Sequence, residues 1–166
     1  MTDLVKTDNT FANAQELVKN SMYVSMAAGL VPVPVFDFIA VGGIQIEMLR
    51  RLSHLYGVTF MEGKVKNILA ALIGGSFPSS FAPVLAGLTK MIPVVGTTLG
   101  AVSMPLVAGA STYAVGKVFI QHFESGGTFL TFDPAAVRAY YAEQFKEGKT
   151  LAATAATDTT AKKASA

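Results

Sequence analysis

At 166 residues the chain has the length of one domain and can bury a sizeable core. Hydrophobic residues make up 51% and charged residues 14%, and the mean hydropathy of +0.46 shifts the expectation toward a membrane-associated or tightly self-packed protein. A net charge of +2 with scattered lysines and arginines excludes a nucleic-acid platform, and the lack of cysteine excludes disulfides, thiolate nucleophiles and zinc–thiolate sites.

Residues 1–9 read as a polar leader with no apolar run behind a basic start, so no signal peptide is expected. A first helix is predicted over 10–29, where Phe11, Ala14, Val18, Met22 and Met26 recur at spacings of three or four. Pro32 and Pro34 then hold Val31 and Val33 extended, making a stiff corner between two helices. Pro34 suits the first turn of the next helix, where its missing N–H costs nothing. Asp37, within that turn, meets free N–H groups and the positive end of the helix dipole, a gain of about 0.5–1 kcal/mol and a sufficient reason for a carboxylate there.

From 34 to 56 the pattern is amphipathic. Apolar rows carry Val35, Ile39, Ile46 and Leu49, then Phe38, Val41, Met48, Leu52 and Leu55, interrupted by Gln45. The opposite row holds Asp37, Glu47, Arg51 and His54, with Arg50 beside it. Gly57 stops this helix and the next restarts at 61–66.

Between 67 and 116 the only charged residue is Lys90. By hydropathy, 67–89 and 91–116 each reach the ~20 residues that cross a bilayer core, with Lys64, Lys66 and Lys117 as flanks and Lys90 at the turn. Pro78, Pro83, Pro93 and Pro105 cut these segments into shorter runs that fit buried or re-entrant helices better than plain spans. Their glycines, Gly109, Gly116 and the G-x-x-x-G of Gly96 and Gly100 among them, suit close helix packing in lipid or in a protein core.

Further on, Ser125, Gly126 and Gly127 read as a helix end, 128–132 as a short extended link, and Asp133-Pro134 as the start of a last, amphipathic helix over 134–147. Val137, Tyr140, Tyr141 and Phe145 share one face of it. The Ala/Thr-rich residues 149–166 offer no apolar face to repay ordering and are expected to be a disordered tail. The folded domain is thus placed at 10–148.

Catalytic parts are scarce. Gly148-Lys149-Thr150 lacks the upstream glycine of a phosphate-binding loop, position 143 being Glu, and Gly116-Lys117 has Ser111 and Val118 where the glycine and the hydroxyl are required. His54 and His122 both read as solvated helix residues, and no spaced pair of carboxylates stands beside a candidate acid. No enzyme activity, cofactor or metal is expected.

The stretch Pro32, Pro34, Asp37, Gln45, Met48, Leu49, Tyr56 and Gly57, with the Phe123 to Gly127 turn that includes Gly126, resembles a bacterial family of unknown function, the YcjF-type proteins. The resemblance covers about 15–130. It implies a helical, membrane-annotated domain that often accompanies small GTPases, here without a fused GTPase, so that such a partner would be a separate polypeptide.

The sequence therefore predicts an all-α fold: two helical hairpins with proline-marked corners, Gly/Ala-rich helix packing and one C-terminal amphipathic helix. The role expected is a non-catalytic membrane-associated scaffold or regulator, on the cytoplasmic face of the membrane or otherwise cytoplasmic, forming homo-oligomers and binding no nucleic acid. A soluble helical oligomerisation or partner-binding module is the alternative, and a pore-forming protein the weaker one.

Overall fold

The computed structural model describes residues 2–30, 34–76 and 97–164, with side chains over 9–30, 39–75 and 104–158. Among these residues the fold is all-helical, with α1 (Thr2–Ala28), α2 (Pro34–Leu55), α3 (Glu62–Ser76), α4 (Thr97–Glu124) and α5 (Arg138–Ala164). Pro32, the turn at Lys90, Pro78, Pro83, Pro93 and Gly96 lie outside the described residues.

The bundle is organised around α4. Its run from Ala110 to Phe119 is almost wholly buried, because α1, α2 and α5 all pack on it. α1 lies antiparallel to it: Gly29 approaches Pro105, Met22 and Met26 face Gly109, Val18 faces Gly116, and Gln15 meets Lys117. α2 runs parallel to α4, with Gln45 beside Ser111 and Thr112 and Tyr56 beside Phe123 and Glu124. α1 and α2 thus form the first predicted hairpin. The charge-poor part of α4 is sheltered by its own chain, and among the described residues no helix is long and apolar enough to cross a membrane.

The two predicted stops are built alike. After α2, Val58 N–H donates to the Ser53 carbonyl and Gly57 N–H to that of His54; after α4, Gly127 N–H donates to His122 and Gly126 N–H to Phe123. These paired six-to-one and five-to-two bonds satisfy the last carbonyls of each helix, and they require a left-handed residue at the turn. Gly57 and Gly126 supply it, with φ of 65° and 78°.

Several boundaries differ from expectation. α1 begins at Thr2, so the polar leader is helical and continuous with the first helix. Pro105 does not break α4; it is buried against Gly29, whose missing Cβ lets the end of α1 lie on the proline backbone. The 128–132 link is a turn, held by Thr131 N–H to Thr128 O and by the Thr131 hydroxyl, rather than an extended strand. Asp133 does cap, accepting from Ala135 N–H at 2.9 Å, but it caps the turn that precedes α5.

α5 differs most. It starts at Arg138 and runs to Ala164, through the segment expected to be a disordered tail. Its first half buries Tyr141 and Gln144 and partly buries Tyr140 and Phe145, as an amphipathic helix should. Beyond that the docking face carries Gly148, the partly buried Leu151 and the fully buried Ala152, and little bulk is needed where Gly148 comes against the Ala110 backbone. A close approach of backbones, with Leu151 beside it, docks a segment poor in large apolar side chains.

Candidate functional site

The residues singled out from the sequence fall at three levels of the bundle. At the charged end, Tyr56 of one motif meets Phe123 and Glu124 of the other. The Tyr56 hydroxyl donates to Glu124 Oε1 at 2.6 Å, and its ring lies 5.7 Å from that of Phe123. Burial, then the Glu124 carboxylate, pushes the Tyr56 phenol well above its ordinary range.

Behind this pair lies an aromatic cluster. Phe119 stacks on Phe132 at 4.4 Å and touches Phe123 and Phe129 at 5.6 and 5.5 Å. Each such pair adds about 0.5–1.5 kcal/mol beyond its area. His122 belongs here and is not a solvated helix residue: its ring meets Phe132 edge-on at 5.0 Å, its Nε2 bonds the Thr128 carbonyl at 2.9 Å, and it fills the space a Gly127 side chain would need. His54, by contrast, is exposed.

Around the cluster runs a charged rim. Glu47 pairs with Arg50 and Arg51 at 3.0 Å each, and Glu62 with Lys66 at 2.7 Å and Arg50 at 3.6 Å. The bond from Arg51 lowers the Glu47 pKa, and the bond from Lys66 lowers that of Glu62. Between α1 and α2, Asn13, Glu16, Asn20, Arg51 and His54, with Leu17 and Leu55, line an open groove of about 560 Å³.

At mid-height four helices meet in a buried polar junction. Gln45 Nε2 donates to Ser111 Oγ at 3.2 Å and Thr112 Oγ1 at 3.3 Å; Thr112 bonds Ser25 at 2.8 Å, and Ser111 bonds the Tyr141 hydroxyl at 3.2 Å. Gln45, seen in the sequence only as an interruption of an apolar row, is the hub of this network. Ser25, Ser111, Thr112, Tyr141 and Gln144 were missed as a set. The available signal was positional: Ser25 continues the stripe of Ala14, Val18 and Met22, a place where an unpaired hydroxyl would be costly.

At the far end the chain turns from α1 into α2. Pro34 opens α2 as expected, while Pro32 and the side chain of Asp37 lie outside the described residues, so their predicted roles gain no geometry. Among the described side chains at this end, Leu30 is 68% and Ile39 69% exposed, and Met104 of α4 is also exposed. Among the described residues no group of three His, Asp or Glu side chains gathers as a metal site.

Residues 6–150 match the family model described as "Domain of unknown function (DUF697)". Over 142 residues the chain is 45% identical to Magnetosome membrane protein 22 of Magnetospirillum gryphiswaldense, an alignment covering 84% of this chain and 72% of that protein. No solved structure matches.

Proposed function

The chain belongs to the DUF697 family, and we propose that within it this protein is a non-catalytic, membrane-associated helical scaffold whose apolar end enters the lipid while its charged rim stays in water. The carrying observation is the polarity of the bundle along its axis. Between Ser21 and Ile46 the one charged residue is Asp37 at the start of α2, and Leu30 and Ile39 stand exposed. The first rim charge on α2, Glu47, lies eight residues below Ile39, about 12 Å along the helix. The name of the magnetosome membrane relative supports a membrane location. The geometry fits insertion to interfacial depth without spanning.

Flotation with phosphatidylcholine/phosphatidylglycerol vesicles tests this. Burying a Leu or Ile side chain contributes about 1.5–3 kcal/mol, so Leu30→Asp/Ile39→Asp weakens vesicle binding by about 100-fold or more at unchanged helicity. Equal flotation of the double variant and the parent rejects the proposal.

The finer part of the proposal is partnership. The YcjF-type resemblance supports recruitment of a separate small GTPase, and the groove on the water-facing half, where Asn13, Glu16, Asn20, Arg51 and His54 surround Leu17 and Leu55, is the surface for it. Capture of a GTP-binding polypeptide from native membranes, lost on Arg51→Glu/Asn20→Arg, is the expected result. Homo-oligomerisation on the cytoplasmic face completes the reading, and sedimentation of the detergent-free chain measures it.

A further inference from the structure

Charge is not shared evenly between the two sides of the bundle. Over 9–30 and 39–75, which hold the described side chains of α1, α2 and α3, the five bases Lys19, Arg50, Arg51, Lys64 and Lys66 stand against three acids. Over 104–158, the side of α4 and α5, four bases stand against five acids. The positive side is therefore the one that carries the exposed Leu30 and Ile39.

The surplus is accessible. Glu47 is taken up by Arg50 and Arg51, and Glu62 by Lys66 and Arg50. Lys19 and Lys64 are exposed and enter no ion pair among the described residues. Lys19 adjoins Asn20 of the α1–α2 groove, which Arg51 also lines, and Lys64 follows Glu62 by two residues, so both stand at the level of the rim.

Depth decides what these lysines meet. A helical surface resting on a bilayer sinks about 5–10 Å into it, and the headgroup layer outside the hydrocarbon is about 5–8 Å thick. The rim begins about 12 Å below Ile39 along α2, so with Ile39 in the lipid the rim is level with the headgroups. On the membrane reading above, we infer that Lys19 and Lys64 make the α1–α3 side of the bundle a binding surface for anionic phospholipid headgroups, and that this side is the one turned toward the membrane. A zwitterionic headgroup offers a lysine a phosphate already balanced by its own ammonium. An anionic one offers uncompensated charge, and each basic residue near such a surface gains roughly fivefold in affinity.

Flotation of the full chain with vesicles of pure phosphatidylcholine, and of phosphatidylcholine and phosphatidylglycerol in equal amounts, tests this, with circular dichroism confirming that each variant is folded. The parent is expected to bind the anionic vesicles about tenfold more tightly or better, a preference that shrinks as salt is added. Lys19→Glu/Lys64→Glu is expected to lose the preference and still float with pure phosphatidylcholine. Lys146→Glu/Lys149→Glu, the same change of charge at exposed positions of α5, is expected to keep it. Equal binding of the parent to both vesicles overturns the inference alone, as does a preference that survives in Lys19→Glu/Lys64→Glu or disappears equally in the α5 variant. A parent that floats with neither vesicle removes the membrane reading and this inference with it.

Discussion

Three glycines in helices respond differently to the same added methyl group, because of what each one faces. In a helix interior Gly→Ala gains about 1 kcal/mol of propensity. At Gly43 of α2 nothing lies within 4 Å of the new Cβ, so the whole gain is expected to appear as added stability. At Gly116 of α4 the new Cβ would lie 3.0 Å from Val18 Cβ and 2.6 Å from Val18 Cγ1. Rotating Val18 cannot relieve this, since its Cβ is fixed to the backbone of α1, so the two helices must separate. Overpacking of this kind costs about 1–3 kcal/mol. Set against the propensity gain, Gly116→Ala should end about 1 kcal/mol below the parent. At Gly109 the nearest atom is Met26 Cγ at 2.5 Å, part of a flexible side chain that can swing aside, so Gly109→Ala should fall between the other two. Urea and thermal melts followed by far-ultraviolet circular dichroism measure the order. For a chain of this size each kcal/mol is about 2–4 °C. Val18→Ala removes both Cγ atoms but keeps the Cβ, so it should rescue Gly116→Ala in part, with a coupling of about 0.5–1 kcal/mol in the double-mutant cycle. A Gly116→Ala variant as stabilised as Gly43→Ala, or a cycle with no coupling, would refute the antiparallel α1–α4 contact.

Thr112→Val keeps the shape of the junction but strands the Ser25 hydroxyl and a Gln45 proton, and should cost about 1–3 kcal/mol by urea melt. Ala152→Leu should cost a similar amount by overpacking α5, whereas the exposed Thr154→Leu stays within about 0.5 kcal/mol of the parent. Equal effects would mean that α5 is not docked at that point. In alkali, the phenols of Tyr56, Tyr113, Tyr140 and Tyr141 all have pKa values raised, first by burial. A raised folded value means that the folded state holds the proton more tightly. The stability contributed is therefore complete below the unfolded value near pH 10 and disappears as the pH climbs through the folded values. Phenolate absorbance from these four should appear together with loss of helix, and its appearance in a fully folded chain would contradict their burial.

What could be read from the sequence was whatever a single helix decides for itself. Gly57 and Gly126 announce stops because only a left-handed residue closes those turns, and Pro34 announces a start because its ring fits the first turn. Packing between helices was less legible. Phe11 continues the spacing of Ala14 and Val18 yet is 44% exposed, while Ser25, a poor candidate by hydropathy, takes the fully buried place on the same stripe. Periodicity finds the stripe, but what α4 presents opposite it decides who is buried. Thr112 offers Ser25 a partner.

The same reasoning explains why α5 was cut short. A run of alanine and threonine looks unable to repay its ordering entropy when large apolar side chains are the only source of stabilisation considered. Gly148 against the Ala110 backbone removes that premise, because two helices that touch at their backbones gain dispersion contacts without bulky side chains. Tyr113 adds a bond to Glu147 at 2.8 Å beside that contact. The long charge-poor α4 is a consequence of the same arrangement: with α1, α2 and α5 all packed on it, it has little surface left on which a charge could be solvated. Its low charge therefore reports a central place in the bundle. On the proposed membrane association, the lipid contact falls to apolar residues that stand exposed among those described near the α1–α2 corner, Leu30 and Ile39.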